Sequence, residues 1–434
     1  MPRYASSIFR VGLVTLCLLL VAGASCVPPR SDPGHKEYSK VSAGAAHTCV
    51  LDRQGRAYCW GYNTSGQLGT GNTNSSDRPV VVAGGLTFTD ISAGGDHSCG
   101  VSSGKVYCWG NNSYGQTGNG IIGNPVFQPA ATASGIFDPV TRVYASTDFT
   151  CALTNTGHAF CWGHNLSGQL GLGANVPVGN GGSANNPNES VPSPRAVAHG
   201  VKFNRMTVGQ GHACGFSDTS MVLCWGSNLF GQIGVTSTQT CPFSTSNWPC
   251  WKAPVLVTNG FTDGAAGLDF SCASTSGPSG YHASCWGGNA SGQLGIEPPP
   301  PVCSFLNGMS FSCAAAPTQV TGLSGVIDMA AGSSFVCASR YPVGTSIACW
   351  GKNNHGQLGD GTTTNRTRLA PLVVPLASLS LSAGHNHACT VTDGNIAGVP
   401  PYVIYCWGSN VSGQLGIGSM AQSVVSRPTR VVEP

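Results

Sequence analysis

The sequence predicts an all-β protein built from repeated four-stranded sheets. Three observations carry that prediction: a decapeptide that recurs seven times, a cysteine pair attached to every copy, and a spacing of 50 to 65 residues between the first cysteines of successive pairs. That spacing is the range of a four-stranded propeller blade with variable loops, longer than most two-helix repeats. Composition agrees. Glycine accounts for 61 of 434 residues, while charged residues make up 9% of the chain, well below the roughly 25% of ordinary soluble domains. This is a turn-rich chain.

The first ten residues carry Arg3 and Arg10, and residues 11–22 (VGLVTLCLLLVA) form a short apolar core that ends in small residues. That is the pattern of a secretory leader, expected to span 1–25. Twelve helical residues rise only about 18 Å, against a hydrocarbon layer of roughly 30 Å, so no transmembrane helix is expected here. At Gly23-Ala24-Ser25-Cys26 two processing readings stand side by side. One cuts after Ala24. The other resembles a lipoprotein box, in which cleavage leaves a lipid-modified Cys26 at the new N-terminus. Eighteen cysteines follow Cys26, an even number that can all pair, so the second reading leaves no stray thiol in an oxidising compartment. Residues 26–37, proline-bearing and charged, then read as a tether to the membrane.

The decapeptide WGxNxxGQxG stands at Trp60, Trp109, Trp162, Trp225, Trp286, Trp350 and Trp407. Its glycines and asparagine mark a sharp chain reversal. A cysteine directly precedes each tryptophan and a second lies upstream, giving the pairs Cys49/Cys59, Cys99/Cys108, Cys151/Cys161, Cys214/Cys224, Cys272/Cys285, Cys337/Cys349 and Cys389/Cys406. Each pair flanks a turn, and facing residues of an antiparallel pair lie close enough for a disulfide, so seven cross-strand bridges are expected. Within one period four strands are legible: a Pro-x-x-Val piece near Pro79, then TDISAG, HSCGV and KVYCWG. Because the chain enters at YSKVSAG and ends on RPTRVV, the last strand is expected to complete the first blade and so close the ring.

These residues resemble the regulator of chromosome condensation repeat, whose core reads G-x-x-H, a short strand, and W-G-x-N-x-x-G-Q-L-G. The resemblance runs over residues 38–434 and implies a seven-bladed β-propeller. The family's namesake is a nucleotide-exchange factor for a small GTPase, a role at odds with an export leader. Similar seven-bladed propellers include secreted inhibitors that cap β-lactamases with one ring face, and a plant ultraviolet photoreceptor with clustered tryptophans. Here seven of the nine tryptophans belong to the repeat itself.

Four cysteines remain, Cys241/Cys250 and Cys303/Cys313, read as staples within enlarged loops. Between the decapeptide and the next proline-bearing strand three consecutive repeats insert 22, 19 and 21 residues, where the other four insert 9 to 11. The insertions, 172–193, 235–253 and 296–316, are expected to form a raised rim on one ring face. Phe243, Trp248, Trp251, Phe305, Met309 and Phe311 in that rim are the candidate partner-binding residues; rigid aromatics suit recognition, or else give each loop a small core.

No metal site is expected. His47, His97, His212 and His387 lie two residues before a cysteine, but no Cys-x2-Cys knuckle occurs, and Phe149, Phe270 and Phe335 take the same place in three repeats. No enzyme is indicated either, since nucleophile elbow, phosphate loop and His-Glu-x-x-His are all missing from the sequence. A formal charge of +3 leaves no footprint for nucleic acid. The reading is therefore an exported, lipid-anchored monomer of the cell envelope, or else a secreted one, without cofactor, that binds a protein or cell-wall partner. The alternatives are a secreted enzyme inhibitor similar to the β-lactamase-capping propellers and, by family analogy alone, a guanine-nucleotide exchange factor.

Overall fold

The computed structural model describes residues 36–173, 190–198, 200–243, 246–275, 282–298, 302–304, 310–340 and 347–434. Seven antiparallel sheets follow one another along residues 36–434, with no helix among the described residues. The first blade comprises Tyr38–Ala43, His47–Asp52, Ala57–Gly61 and Ser76–Val81, paired in that order. The innermost strands of the other six are Asp90–Ala93, Val140–Ala145, Phe203–Val208, Asp263–Ala266, Val326–Ala331 and Ser378–Ala383. The architecture is a seven-bladed β-propeller.

Two expectations need correction. The C-terminal strand Val424–Arg430 does not complete the first blade; it pairs with Ile404–Ser409 of its own, seventh blade. The decapeptide turn lays each proline-bearing strand back against the strand just left, as Ser76–Val81 against Ala57–Gly61, so every blade is continuous in sequence. The ring closes instead through contacts between blades seven and one. The amides of Val41 and Ala43 donate to Ser380 Oγ and Ser382 Oγ at 3.3 and 2.9 Å, and Trp60 Nε1 donates to the Gln414 carbonyl at 2.9 Å. Blades four and five, moreover, carry five strands rather than four.

The two cysteines of each central hairpin face one another in register and are bonded. In blades one to four the bridges are Cys49–Cys59, Cys99–Cys108, Cys151–Cys161 and Cys214–Cys224. In blades five to seven they are Cys272–Cys285, Cys337–Cys349 and Cys389–Cys406. The spans between partners differ, from 9 residues in blade two to 17 in blade seven, yet the pairing is the same because only the turn at the hairpin's end changes length. Cα atoms of each pair are 4.0–4.1 Å apart, the close approach of a non-hydrogen-bonded cross-strand pair. The register then slips opposite each tryptophan, where the fourth strand bulges; Pro79 sits in that bulge, a place that needs no ladder donor.

Between blades the same contact recurs. Every repeat tryptophan is fully buried, and its Nε1 donates to the main-chain carbonyl of the glutamine in the preceding decapeptide at 2.9–3.0 Å, from Trp109 to Gln67 through Trp407 to Gln357. The last decapeptide glycine must let that ring approach: a Cβ on Gly69 would stand 2.8 Å from Trp109 Nε1. Asn63 Oδ1 accepts from the Leu68 amide and Gln67 Oε1 from the Ser65 amide, which fixes the loop. The other six loops repeat both bonds. The first glycine of each copy needs φ near +105°, which only glycine adopts at little cost.

The histidines are explained by what faces them. Nε2 of His47, His97, His212 and His387 lies 2.8–2.9 Å from the hydroxyl of Ser98, Thr150, Ser271 and Thr48 respectively, each on the next blade. Each hydroxyl also donates to the glutamine carbonyl that accepts the tryptophan. Where phenylalanine replaces histidine, the facing residue has no hydroxyl: Phe149 clusters with Ala213, Phe270 with Val336, Phe335 with Ala388. A buried imidazole needs a partner and a phenyl ring needs none.

Burial holds these imidazoles neutral, driving His47, His97 and His387 down to about 3 and His212 to about 4. Unfolded histidine takes up its proton near 6.5, so stability present above that pH is lost as pH falls towards 3, at up to about 1.4 kcal/mol per pH unit for each ring. Asp148, Asp269 and Asp328, raised by burial to about 6, act in the opposite sense between pH 6 and 4. The net loss should therefore be steepest below about pH 4. In denaturant titrations at stepped pH, T150A alone should cost about 1–3 kcal/mol by stranding His97. H97F combined with T150A should recover part of that and flatten the acid slope by about one proton; additive costs would refute the pairing.

Candidate functional site

Strand direction alternates from the channel outward, so the turns between first and second strands share one ring face with the decapeptides. On that face blades four and five are extended. In blade four the outer strand Ser246–Asn259 overruns the end of Met221–Ser227, and Thr240–Phe243 folds back along the overrun. In blade five Ser310–Gln319 overruns Ala283–Gly288, and Val302–Ser304 pairs with its start. The Asn228 and Asn289 amides donate to the Pro249 and Ser312 carbonyls at 2.9 and 2.8 Å, tying both hairpins to their decapeptides.

Each hairpin carries its own disulfide, Cys241–Cys250 and Cys303–Cys313, with Cα atoms 5.8 and 5.7 Å apart. These bridges are wider than the seven in the blades because the cysteines are not directly opposed: Cys241 faces Trp248, and Cys303 faces Phe311. Two adjacent blades thus present stapled, raised hairpins. Of the first insertion, 174–189 lies outside the described residues.

The six candidate binding residues fare differently. Trp251 packs with Val255, Val257 and Phe261 against the cluster between blades four and five, so its ring serves the base of the hairpin. Trp248 is half-buried. Phe243 and Phe311 have described backbone within the hairpin strands, and Phe305 and Met309 lie outside the described residues. Cys26 does too.

Charge on this face was not singled out by the motifs. Asp96, Asp148 and Asp269 follow the innermost strands of blades two, three and five. Gln67 Nε2 donates to Asp96 at 3.1 Å and Gln293 Nε2 to Asp269 at 3.4 Å. Burial raises all three carboxyls, and Asp96 adds repulsion to Asp148. The signal available was positional, since each aspartate directly precedes the residue that pairs across blades. At the seam of blades five and six Arg368 Nε holds Glu297 at 2.5 Å and keeps its carboxyl below the usual range. Among the described residues no group of three His, Cys, Asp or Glu side chains could hold a metal ion.

Removing one hairpin staple, as C241A/C250A, should leave the ring intact. Chain entropy allows at most about 3 kcal/mol for so short a loop, so amide exchange should quicken by up to about a hundredfold within 240–250 and stay unchanged in the other blades.

Sequence comparison matches the Regulator of chromosome condensation (RCC1) repeat over residues 54–101, 103–153, 285–339 and 349–391, and a second description of the same repeat over 38–67, 88–116 and 140–169. The E3 ubiquitin-protein ligase HERC2 of Homo sapiens is 28% identical over 331 residues, which is 74% of this chain and 5% of HERC2. The ultraviolet-B receptor UVR8 of Arabidopsis thaliana is 26% identical over 199 residues, 45% of this chain and 42% of the receptor. The chain thus spans less than half the length of either relative. Among solved structures, Prp20p of Saccharomyces cerevisiae superposes with a TM-score of 0.67 at 18% identity, covering 92% of this chain and 88% of Prp20p. Human WBSCR16 gives 0.66 at 20%, covering 82% and 87%. With the repeat matched in blades across the ring and its tryptophan, asparagine and glutamine all holding structural bonds, the chain belongs to the regulator of chromosome condensation (RCC1) repeat family.

Proposed function

We propose that this protein is an exported, lipid-anchored binding platform that engages a protein or cell-envelope partner through the decapeptide face. The observation that carries the reading is the pair of adjacent hairpins on blades four and five, each raised beyond its blade and each stapled by its own disulfide. A bridge that no neighbouring blade requires stiffens a surface feature, and a pre-ordered loop loses less entropy when a partner docks. RCC1-like propellers bind other proteins; the solved structure of yeast Prp20p accompanies its binding properties to Gsp1p and histones. Nine disulfides favour an oxidising compartment, in keeping with the leader and with Cys26 as the lipid attachment point.

Two measurements test this. Photo-crosslinkers placed at Trp248 and Val302 should capture one defined envelope partner. Replacing 237–249 and 299–312 by Asn-Gly turns, with C250S and C313S, should abolish that capture without unfolding the ring. An undiminished cross-link in the trimmed protein would sink the platform. Separately, C26S should lose palmitate labelling and appear in the medium; a labelled C26S protein would refute the anchor.

A further inference from the structure

The seven innermost strands enclose a cavity of about 770 Å³, within the size range of small-molecule sites. Towards the decapeptide face it narrows to about 90 Å³ between the turns that follow those strands. There the amides of Ala45, Gly95, Gln210, Leu268, Ser333 and His385 each donate to the next blade's turn, at 2.9–3.3 Å. Six of the seven collar turns carry glycine, and a Cβ on Gly44 would lie 2.5 Å from the Gly94 carbonyl oxygen; blade three carries Ser146 instead. The cavity is therefore a cup whose wide end opens on the face opposite the decapeptides.

Its wall holds one ring of charge. Counting four residues back from the collar glycine, or from Ser146 which replaces it, gives Lys40, Asp90, Arg142, Arg205, Asp263 and Asp328 in blades one to six, all lining the cavity. Blade seven places Ser380 there. Six charges at seven equivalent positions stand out in a chain that is 9% charged, and a charge drawn out of water is costly unless it is paired.

Four of the six neutralise each other between neighbouring blades, Lys40 with Asp90 and Arg205 with Asp263. Arg142 and Asp328, on opposite sides of the ring, are left over. Among the described residues Arg142 has no ion-pair partner, and it acts on Asp263 and Tyr144 through its field. Asp328 Oδ2 accepts the Leu381 amide at 3.4 Å and has no cation bonded to it among the described residues; burial and the charge of Asp263 push its carboxyl up to about 6. Beside it, Ile327 and Leu379 line the cavity, and each is 49% exposed.

We infer that this cup binds a small zwitterionic solute, a short peptide with free termini, whose carboxylate meets Arg142, whose ammonium meets Asp328 and whose apolar side chains cover Ile327 and Leu379. The site is distinct from the partner-binding face and stands independently of it.

Calorimetry on the full-length protein would use trileucine, N-acetyl-trileucine and trileucine amide. Trileucine should bind, and either capped form about tenfold more weakly, the loss of one charge-assisted contact. R142Q should erase the discrimination against the amide while keeping that against the acetylated form, and D328N should do the reverse. Melting curves check that both variants fold; Arg142 is exposed, so R142Q decides alone if D328N does not. No binding at millimolar peptide, equal affinity for all three peptides, or unchanged discrimination in the folded variants would each overturn the site.

Discussion

Everything in this ring leans on one main-chain carbonyl per repeat, that of the decapeptide glutamine. It receives the indole N–H of the next blade's tryptophan in all seven interfaces and a serine or threonine hydroxyl as well in four. A buried indole contributes a few kcal/mol of apolar burial only if its N–H is satisfied. The loop must therefore aim its carbonyl sideways, which is what the asparagine and glutamine side chains and the positive-φ glycine bring about. The disulfide one residue before the tryptophan keeps the strand that carries it in register.

Because that bond joins successive blades, the last must meet the first, and the ring has no free end to protect. Closure rests on side chains and turns, with Gln414 of the seventh blade accepting both Trp60 and Thr48 of the first. No strand needs to be shared. The same economy frees the outer edges of the blades, so hairpins can be added at blades four and five without disturbing the core.

Sevenfold repetition also separates structure from individuality. Positions that repeat in every blade satisfy backbone and indole groups. Positions that vary from blade to blade, such as the charged ring in the channel, the aspartates on the decapeptide face and the stapled hairpins, are where this chain can recognise something.

Read by itself, the sequence determined the repeat, the four strands common to every blade, the cysteine pairs and the structural role of the decapeptide, because each rests on local spacing and on turn chemistry confined to a few residues. The grouping of strands was misjudged by one place, since a period has no intrinsic beginning and only pairing shows that Ser76–Val81 lies beside Ala57–Gly61. The pairing of histidine with hydroxyl and of phenylalanine with alanine or valine was present in the letters but invisible, because the partners are 51 or more residues apart and meet only across a blade interface. The same holds for Arg142 and Asp328, left without ion-pair partners among the described residues. Local chemistry writes each blade into its own stretch of chain; which blade faces which, and so which charges are neutralised, is decided when the ring closes.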